Sequence, residues 1–140
     1  MMKFSHVAIN CKDPAAIERY YTKHFGFTRA RAIPLGDWDL VFLKSGNVYL
    51  ELFKTAEERP TAAPQKDGYS FPGTRHIAFQ VDDVDATLKA MGKDAVIKQG
   101  PDSFEAFIPG WKTAWLADPE GNIVEVSQGF EDQKDPPPLK

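Results

Sequence analysis

The chain has 140 residues, of which 42% are hydrophobic and 12% aromatic, and its formal net charge is −3. This length allows one compact domain with a substantial core, and the mildly acidic composition gives no reason to expect nucleic acid or an anionic membrane as a partner. No long apolar run or signal-peptide pattern is present, and the single cysteine, Cys11, cannot form an internal disulfide, so we expect a cytoplasmic protein.

The first half of the chain predicts one strand, one helix and three further strands. Asp13 is a candidate N-cap followed by Pro14 at the first helical position, and Gly26 ends the helix. Apolar runs bounded by turn residues predict the strands. These strands are expected at 3–11, near 27–34, near 38–44 and at 47–54.

The second half repeats this order after a connection over 55–73 that is rich in proline and glycine. A connection of that length in a compact domain is typical of a lid or a linker. The expected elements are a strand at 74–81, a helix at about 84–92, and strands at about 95–99, near 104–108, at 111–117 and at 122–128. The polar, proline-rich tail over 129–140 is predicted to be flexible.

Four ionisable residues, each within a short apolar run, are the main candidates for functional residues in this sequence. The runs are FSHVAIN, VYLELF, TRHIAFQV and NIVEVS, and the residues are His6, Glu51, His76 and Glu125. Because alternate side chains of a strand point to opposite faces, each of the four is predicted to lie opposite an apolar face. The apolar faces are Val7 with Ile9, Leu50 with Leu52, Ile77 with Phe79, and Val124 with Val126.

Two imidazoles and two carboxylates form a typical ligand set for a divalent metal. They leave an octahedral ion two positions for water or substrate oxygens, and mixed nitrogen and oxygen ligation suits Ni, Zn, Co, Mn or Fe. Taken singly, the histidines could be core residues and the glutamates could lie on exposed strand faces. Agreement of residue type, strand face and order favours one metal site, and the same order in both halves indicates an internal repeat.

The sequence resembles the vicinal oxygen chelate superfamily, which includes glyoxalase I, extradiol dioxygenases, and fosfomycin and bleomycin resistance proteins. The resemblance covers residues 3–128. It depends on His6-Val7-Ala8-Ile9, Tyr21 with Phe25-Gly26-Phe27, Glu51 in YLELF, His76-Ile77-Ala78-Phe79, and Asp118-Pro119-Glu120-Gly121-Asn122 before Glu125.

The resemblance implies an α+β fold in which paired βαβββ modules form a metal-binding cup. Module one would span 1–54, the linker 55–73 and module two 74–128, within a single domain over 1–128. The set of two histidines and two glutamates is most similar to that of glyoxalase I (lactoylglutathione lyase), which implies His6, Glu51, His76 and Glu125 as the ligands. Relatives of this kind also imply a homodimer.

Three positions depart from the glyoxalase I pattern. Asn10 and Thr55 stand where that family usually has an Arg and an Asn that contact glutathione, and Arg75 precedes the second histidine. The metal set is therefore retained while the glutathione contacts are not, which predicts a different carbonyl substrate. Candidate substrate-binding residues are Asn10, Phe53, Arg75, Phe107 and Trp115, although a solvated charge is the commoner role for a residue such as Arg75 and a core position for one such as Trp115.

These observations predict a metal-dependent lyase or isomerase that acts on a small-molecule carbonyl substrate by proton transfer. Glu125 or Glu51 would serve as the base that removes a proton and returns it to the neighbouring carbon. A second hypothesis is a small-molecule binding or resistance protein without catalysis, and a third is an extradiol-type dioxygenase, for which Glu51 would be an additional ligand.

Overall fold

The computed structural model describes residues 1–140 and contains two four-stranded sheets in an α+β fold. The chain divides into two compact units, which are Met1–Ala63 together with Asp118–Asn122, and Pro64–Ala117 together with Ile123–Lys140. Neither helix has the length and apolar character that crossing a membrane requires.

The first unit has the predicted βαβββ order. Its strands pair in the order β1-β4-β3-β2, with β1 parallel to β4 and the other neighbours antiparallel. The elements are β1 (His6–Cys11), α1 (Pro14–Phe25), β2 (Thr28–Leu35), β3 (Trp38–Ser45) and β4 (Val48–Lys54).

The second unit repeats that order and that pairing. Its strands run β5-β8-β7-β6, with β5 parallel to β8. The elements are β5 (Ile77–Gln80), α2 (Val84–Met91), a 3₁₀ turn (Gly92–Asp94), β6 (Val96–Ser103), β7 (Lys112–Ala117) and β8 (Ile123–Gln128). The internal repeat predicted from the sequence is thus present in the strand topology.

Both helices begin with the same capping arrangement. Asp13 accepts a hydrogen bond from the Ala16 amide at 3.1 Å, and Asp83 accepts one from the Ala86 amide at 2.9 Å. Each aspartate thereby satisfies a backbone donor that has no partner within its helix. After α1 the chain turns at Gly26, whose φ of 70° is readily adopted by glycine.

Each helix covers the apolar face of its own sheet. In the first unit the buried residues include Ile17 and Tyr21 on α1 and Leu50 and Leu52 on β4. Cys11 is also a core residue, as its strand parity predicts, and burial raises the pKa of its thiol to about 12.

The apolar face of the second sheet is buried in the same way. Val84 at the start of α2 and Val124 and Val126 on β8 are all fully buried. Ile77 and Phe79 of β5 pair with these two β8 valines and are half-buried. Strand alternation leaves the opposite face of each sheet for the polar residues.

The structure corrects the prediction of two strands at about 95–99 and near 104–108. A single strand, β6, passes through Gly100-Pro101 with irregularities in its register against β7. Proline is tolerated at such irregularities and at sheet edges, and β6 is an edge strand. The chain over 104–110 forms turns, in which the Phe107 amide donates to the Phe104 carbonyl.

Two other predicted strands are shorter than the sequence indicated. The first begins at His6, not at residue 3, and the strand predicted at 74–81 covers Ile77–Gln80. Apolar periodicity extends beyond the backbone pairing that defines each strand, so it overestimates the strand length.

Asp118 organises the turn over 118–122. Its carboxylate accepts hydrogen bonds from the Tyr21 hydroxyl at 2.9 Å, the Glu120 amide at 2.9 Å, and the Asn122 amide and side chain at 3.0 Å. Burial raises the pKa of Asp118, and burial next to this carboxylate raises that of Tyr21. The four donors compensate the carboxylate for its loss of water.

We expect Tyr21→Phe to lower the free energy of unfolding by about 1–3 kcal/mol, because the buried Asp118 would lose one of its donors. Urea unfolding measures this difference. The matched control is Tyr49→Phe, since Tyr49 is half-buried and engages Lys44 through its ring. An equal loss in both variants would show that the hydrogen bond to Asp118 is not the cause.

Candidate metal centre

The first histidine and the first glutamate lie on the polar face of the first sheet. Ala8 is the register partner of Glu51 across the parallel pair β1 and β4, so His6 lies on the same face as Glu51, two residues along β1. His6 Nε2 is 3.9 Å from Glu51 Oε1, and His6 Nδ1 is 2.8 Å from the Ser5 hydroxyl oxygen. The Glu51 side chain is 14% exposed and that of His6 is 36% exposed.

The second pair repeats this arrangement in the second sheet. Ala78 is the register partner of Glu125 across β5 and β8, and His76 immediately precedes β5. His76 Nε2 is 3.4 Å from Glu125 Oε1, and His76 Nδ1 is 2.5 Å from the Asp67 backbone oxygen.

The surroundings of the second pair raise the pKa of the His76 imidazole. The hydrogen bond to Glu125 raises the pKa of His76, burial opposes that shift, and the hydrogen bond to the Asp67 carbonyl adds to it. A metal ion binds the deprotonated form of Nε2, so a raised pKa of His76 makes metal binding more sensitive to low pH.

In both pairs Nε2 faces a carboxylate and Nδ1 lies against an oxygen. Histidines that ligate metals commonly donate the hydrogen of the other ring nitrogen to an oxygen, which fixes the tautomer. Donation from His76 Nδ1 to the Asp67 carbonyl leaves Nε2, on the side of Glu125, as the nitrogen that could bind a metal ion. The donor chemistry and the orientation of each pair therefore fit one half of a metal site.

The Asp67 carbonyl is held in place by its own loop. Arg75 donates to the Asp67 carboxylate at 3.1 and 3.2 Å, which closes the loop onto the residue before His76. Gly68 has a φ of 131°, and a Cβ there would overlap the Arg75 carbonyl oxygen. Glycine is required at this position, because any other residue would strain the backbone and displace Arg75.

Each sheet carries two of the four predicted ligands, and the chain brings no three His, Cys, Asp or Glu side chains together in one cluster. The first half-site is defined as His6 with Glu51, and the second half-site as His76 with Glu125. A four-ligand site requires the two half-sites to combine.

The candidate substrate residues are distributed unevenly around the half-sites. Asn10 and Phe53 are register partners on the face of Glu51. Trp115 is the register partner of Glu125; it is 6% exposed and its indole nitrogen has no hydrogen-bond partner. Phe107 lies in a turn and is 76% exposed, while Arg75 is engaged by Asp67.

Sequence reasoning missed the residues that hold the imidazoles. Asp67 lies in the aperiodic connection, and it acts through its backbone, so its residue type gives no signal. Ser5 is directly before His6, and its hydroxyl is the one feature of the sequence that suggested a hydrogen-bond partner for an imidazole. Gly68, next to Asp67, indicated an unusual backbone geometry in the loop. It did not indicate that this geometry places a carbonyl against His76.

No curated protein matches the chain in sequence. Solved structures do match in fold, among them a glyoxalase family protein from Enterococcus faecalis, with 25% identity, a TM-score of 0.66, and coverage of 89% of this chain and 96% of that one. A lactoylglutathione lyase from Agrobacterium tumefaciens matches with 24% identity, a TM-score of 0.59, and coverage of 91% and 93%. An antibiotic binding protein from a Streptomyces species matches with 17% identity, a TM-score of 0.65, and coverage of 93% and 98%.

The family model of the Glyoxalase/Bleomycin resistance protein/Dioxygenase superfamily matches residues 3–126. This range includes both helices, all strands except the last two residues of β8, and all four residues of the two half-sites. The family also accounts for the βαβββ repeat that the strand topology displays. The chain belongs to this superfamily.

Proposed function

We propose that the protein is a metal-dependent lyase or isomerase of the glyoxalase I type, which transfers a proton at a carbonyl substrate. One observation carries this proposal, namely the two histidine–glutamate pairs in which Nε2 faces the carboxylate and Nδ1 lies against an oxygen. The same arrangement in both sheets supports a common role for the two pairs.

The residues that would hold the metal are His6, Glu51, His76 and Glu125. They would present two imidazole nitrogens and two carboxylates to one divalent ion, and this donor set suits Ni, Zn, Co, Mn or Fe. A divalent ion bound there would polarise the substrate carbonyl and make the adjacent C–H bond acidic.

The glutamates are the groups that can move a proton. The Glu125 side chain is 20% exposed and lies beside the buried Trp115, so substrate can reach its carboxylate while bulk water is limited. An oxygen of Glu125, or of Glu51 in the other half-site, would take the proton from one carbon and return it to the next. The histidines would orient the site through Nε2 and take no part in the transfer.

We propose that the active form is a homodimer in which His6 and Glu51 of one chain join His76 and Glu125 of the other. The division of the ligands into two half-sites, one in each sheet, supports this arrangement. The exposed edge strand β2 adds a second reason, because unpaired strand edges are commonly covered by assembly.

Binding of a small molecule without catalysis is the second candidate function. One similar structure is that of an antibiotic binding protein, and another is that of a fosfomycin resistance protein from Listeria monocytogenes, with 13% identity. The buried, unpartnered indole nitrogen of Trp115 favours this candidate, because it can donate to a bound ligand without any chemistry. Metal analysis combined with a turnover assay separates the two functions.

We expect His6→Ala and Glu125→Gln each to lose most of the bound metal, because each variant removes a donor from one half-site. Elemental analysis of the purified proteins measures the metal content. The matched control is His24→Ala, since His24 lies on α1 against the Tyr20 ring, outside both half-sites. Full metal content in both test variants would refute the metal assignment.

The dimer proposal predicts complementation between two defective chains. When His6→Ala and His76→Ala chains are mixed and allowed to exchange, each heterodimer should contain one site with all four ligands, and the mixture should regain about a quarter of the wild-type metal. If the mixture regains no metal after exchange, the site does not span two chains. The same conclusion would follow if light scattering showed a monomer and elemental analysis showed that this monomer retains metal.

We expect weak activity on the hemithioacetal of methylglyoxal and glutathione. Asn10 and Thr55 replace two anchors for glutathione, and an enzyme without contacts to the remote part of its substrate loses the binding energy that orients the reacting carbons. Steady-state kinetics of the metal-loaded protein tests this point. A kcat/KM above about 10⁵ M⁻¹s⁻¹, as in dedicated enzymes, would show that glutathione is the natural substrate.

A further inference from the structure

A cavity of about 740 Å³ lies on the polar face of the first sheet, beside His6. His6 and Lys44 are both register partners of Tyr49, so these three side chains form one row across β1, β4 and β3. Phe42 is the register partner of Glu51 in the adjacent row, and its ring packs edge-on against that of His6 at 5.7 Å. The cavity is therefore continuous with the first half-site.

Two lysines in the cavity wall have no acidic partner. Lys44 Nζ lies 5.5 Å from the centre of the Tyr49 ring, and neither Lys44 nor Lys3 forms an ion pair. Elsewhere in the protein, Lys12 pairs with Glu58, Lys54 with Asp37, and Lys112 with Asp85. The cavity thus combines two uncompensated positive charges, which favour an anion.

Three aromatic side chains, together with Ser5 and Asn47, line the rest of the cavity. Phe42 and Tyr49 are half-buried, and Phe4 is 75% exposed. An apolar ligand group placed between these rings would remove exposed aromatic surface from water, which is favourable in proportion to the area covered. The wall suits a ligand that has an apolar body and one anionic end.

We propose that this cavity binds the carboxylate end of a small substrate whose carbonyl lies at the half-site of His6 and Glu51. The proposal rests on the function proposed above and adds the substrate class, which is an aromatic or aliphatic carbonyl compound with a remote carboxylate. Lys44 is two strands away from His6, roughly 10 Å at the usual strand spacing. The carboxylate is therefore separated from the reacting carbonyl by a chain or ring of several atoms.

The test uses the full-length protein treated with a chelator, so that binding to the cavity is measured without metal chemistry. The probes are 3-phenylpropionate and its uncharged amide, and binding is followed by NMR through the ring signals of Phe42 and Tyr49. We expect the acid to bind about tenfold more tightly than the amide, with an affinity that falls as the salt concentration rises, because partly exposed charges are screened. Equal binding of acid and amide would overturn the proposal.

Variants then test whether Lys44 and Lys3 supply the positive charge that binds the carboxylate of the probe. We expect Lys44→Ala to weaken binding of 3-phenylpropionate about threefold to fivefold, which is the scale of a partly exposed ion pair, and the double variant with Lys3→Ala to weaken it further. The matched control is Lys93→Ala, which removes an exposed lysine outside the cavity and should leave the affinity unchanged. Wild-type affinity in the double variant would overturn the proposal.

A final variant separates this inference from the proposed function. His76→Ala removes a predicted metal ligand that is not part of the cavity, so it should lose metal and still bind 3-phenylpropionate with wild-type affinity. Loss of probe binding in this variant would show that the second half-site, not the lysine cavity, holds the carboxylate. If the wild-type protein binds the probe but no metal, the metal-dependent function fails while the cavity assignment stands.

Discussion

The alternation of side chains along paired strands is the constraint on which the rest of this structure depends. Each sheet buries one face under its helix, so the other face is free to carry ionisable groups. A parallel pair then sets a histidine on one strand diagonally opposite a glutamate on its neighbour. A shift of one residue in either register would turn the glutamate into the core, where an unpaired carboxylate is costly.

Much of the architecture could be predicted from the sequence because it follows from local patterns. Period-two alternation identified the strands that hold His6, Glu51 and Glu125 and the strand that His76 precedes, and Asp13 and Gly26 marked the ends of α1. The repeat of the second half then followed from the repeated order of residues. The prediction of two strands at about 95–99 and near 104–108 was wrong, because pairing with β7 carries a single strand through Gly100-Pro101.

The parts that could not be predicted depend on contacts between residues distant in sequence. The loop before β5 brings the Asp67 carbonyl into contact with the His76 ring. Arg75 was predicted as a substrate contact, but its guanidinium donates to the Asp67 carboxylate. The lysine cavity likewise depends on strand order, since Lys3 and Lys44 come together only when β1, β4 and β3 are assembled.

The two half-sites differ in how their histidines are held, and this difference bears on how the protein can evolve. His6 is held by the Ser5 side chain, which a single substitution can remove, whereas His76 is held by a backbone oxygen that every residue type supplies. The oxygen itself does not depend on the residue type at position 67, but its placement depends on the Asp67 side chain paired with Arg75 and on Gly68. The anchor of the second half-site is thus shared among three residues of one loop, whereas that of the first half-site is a single hydroxyl.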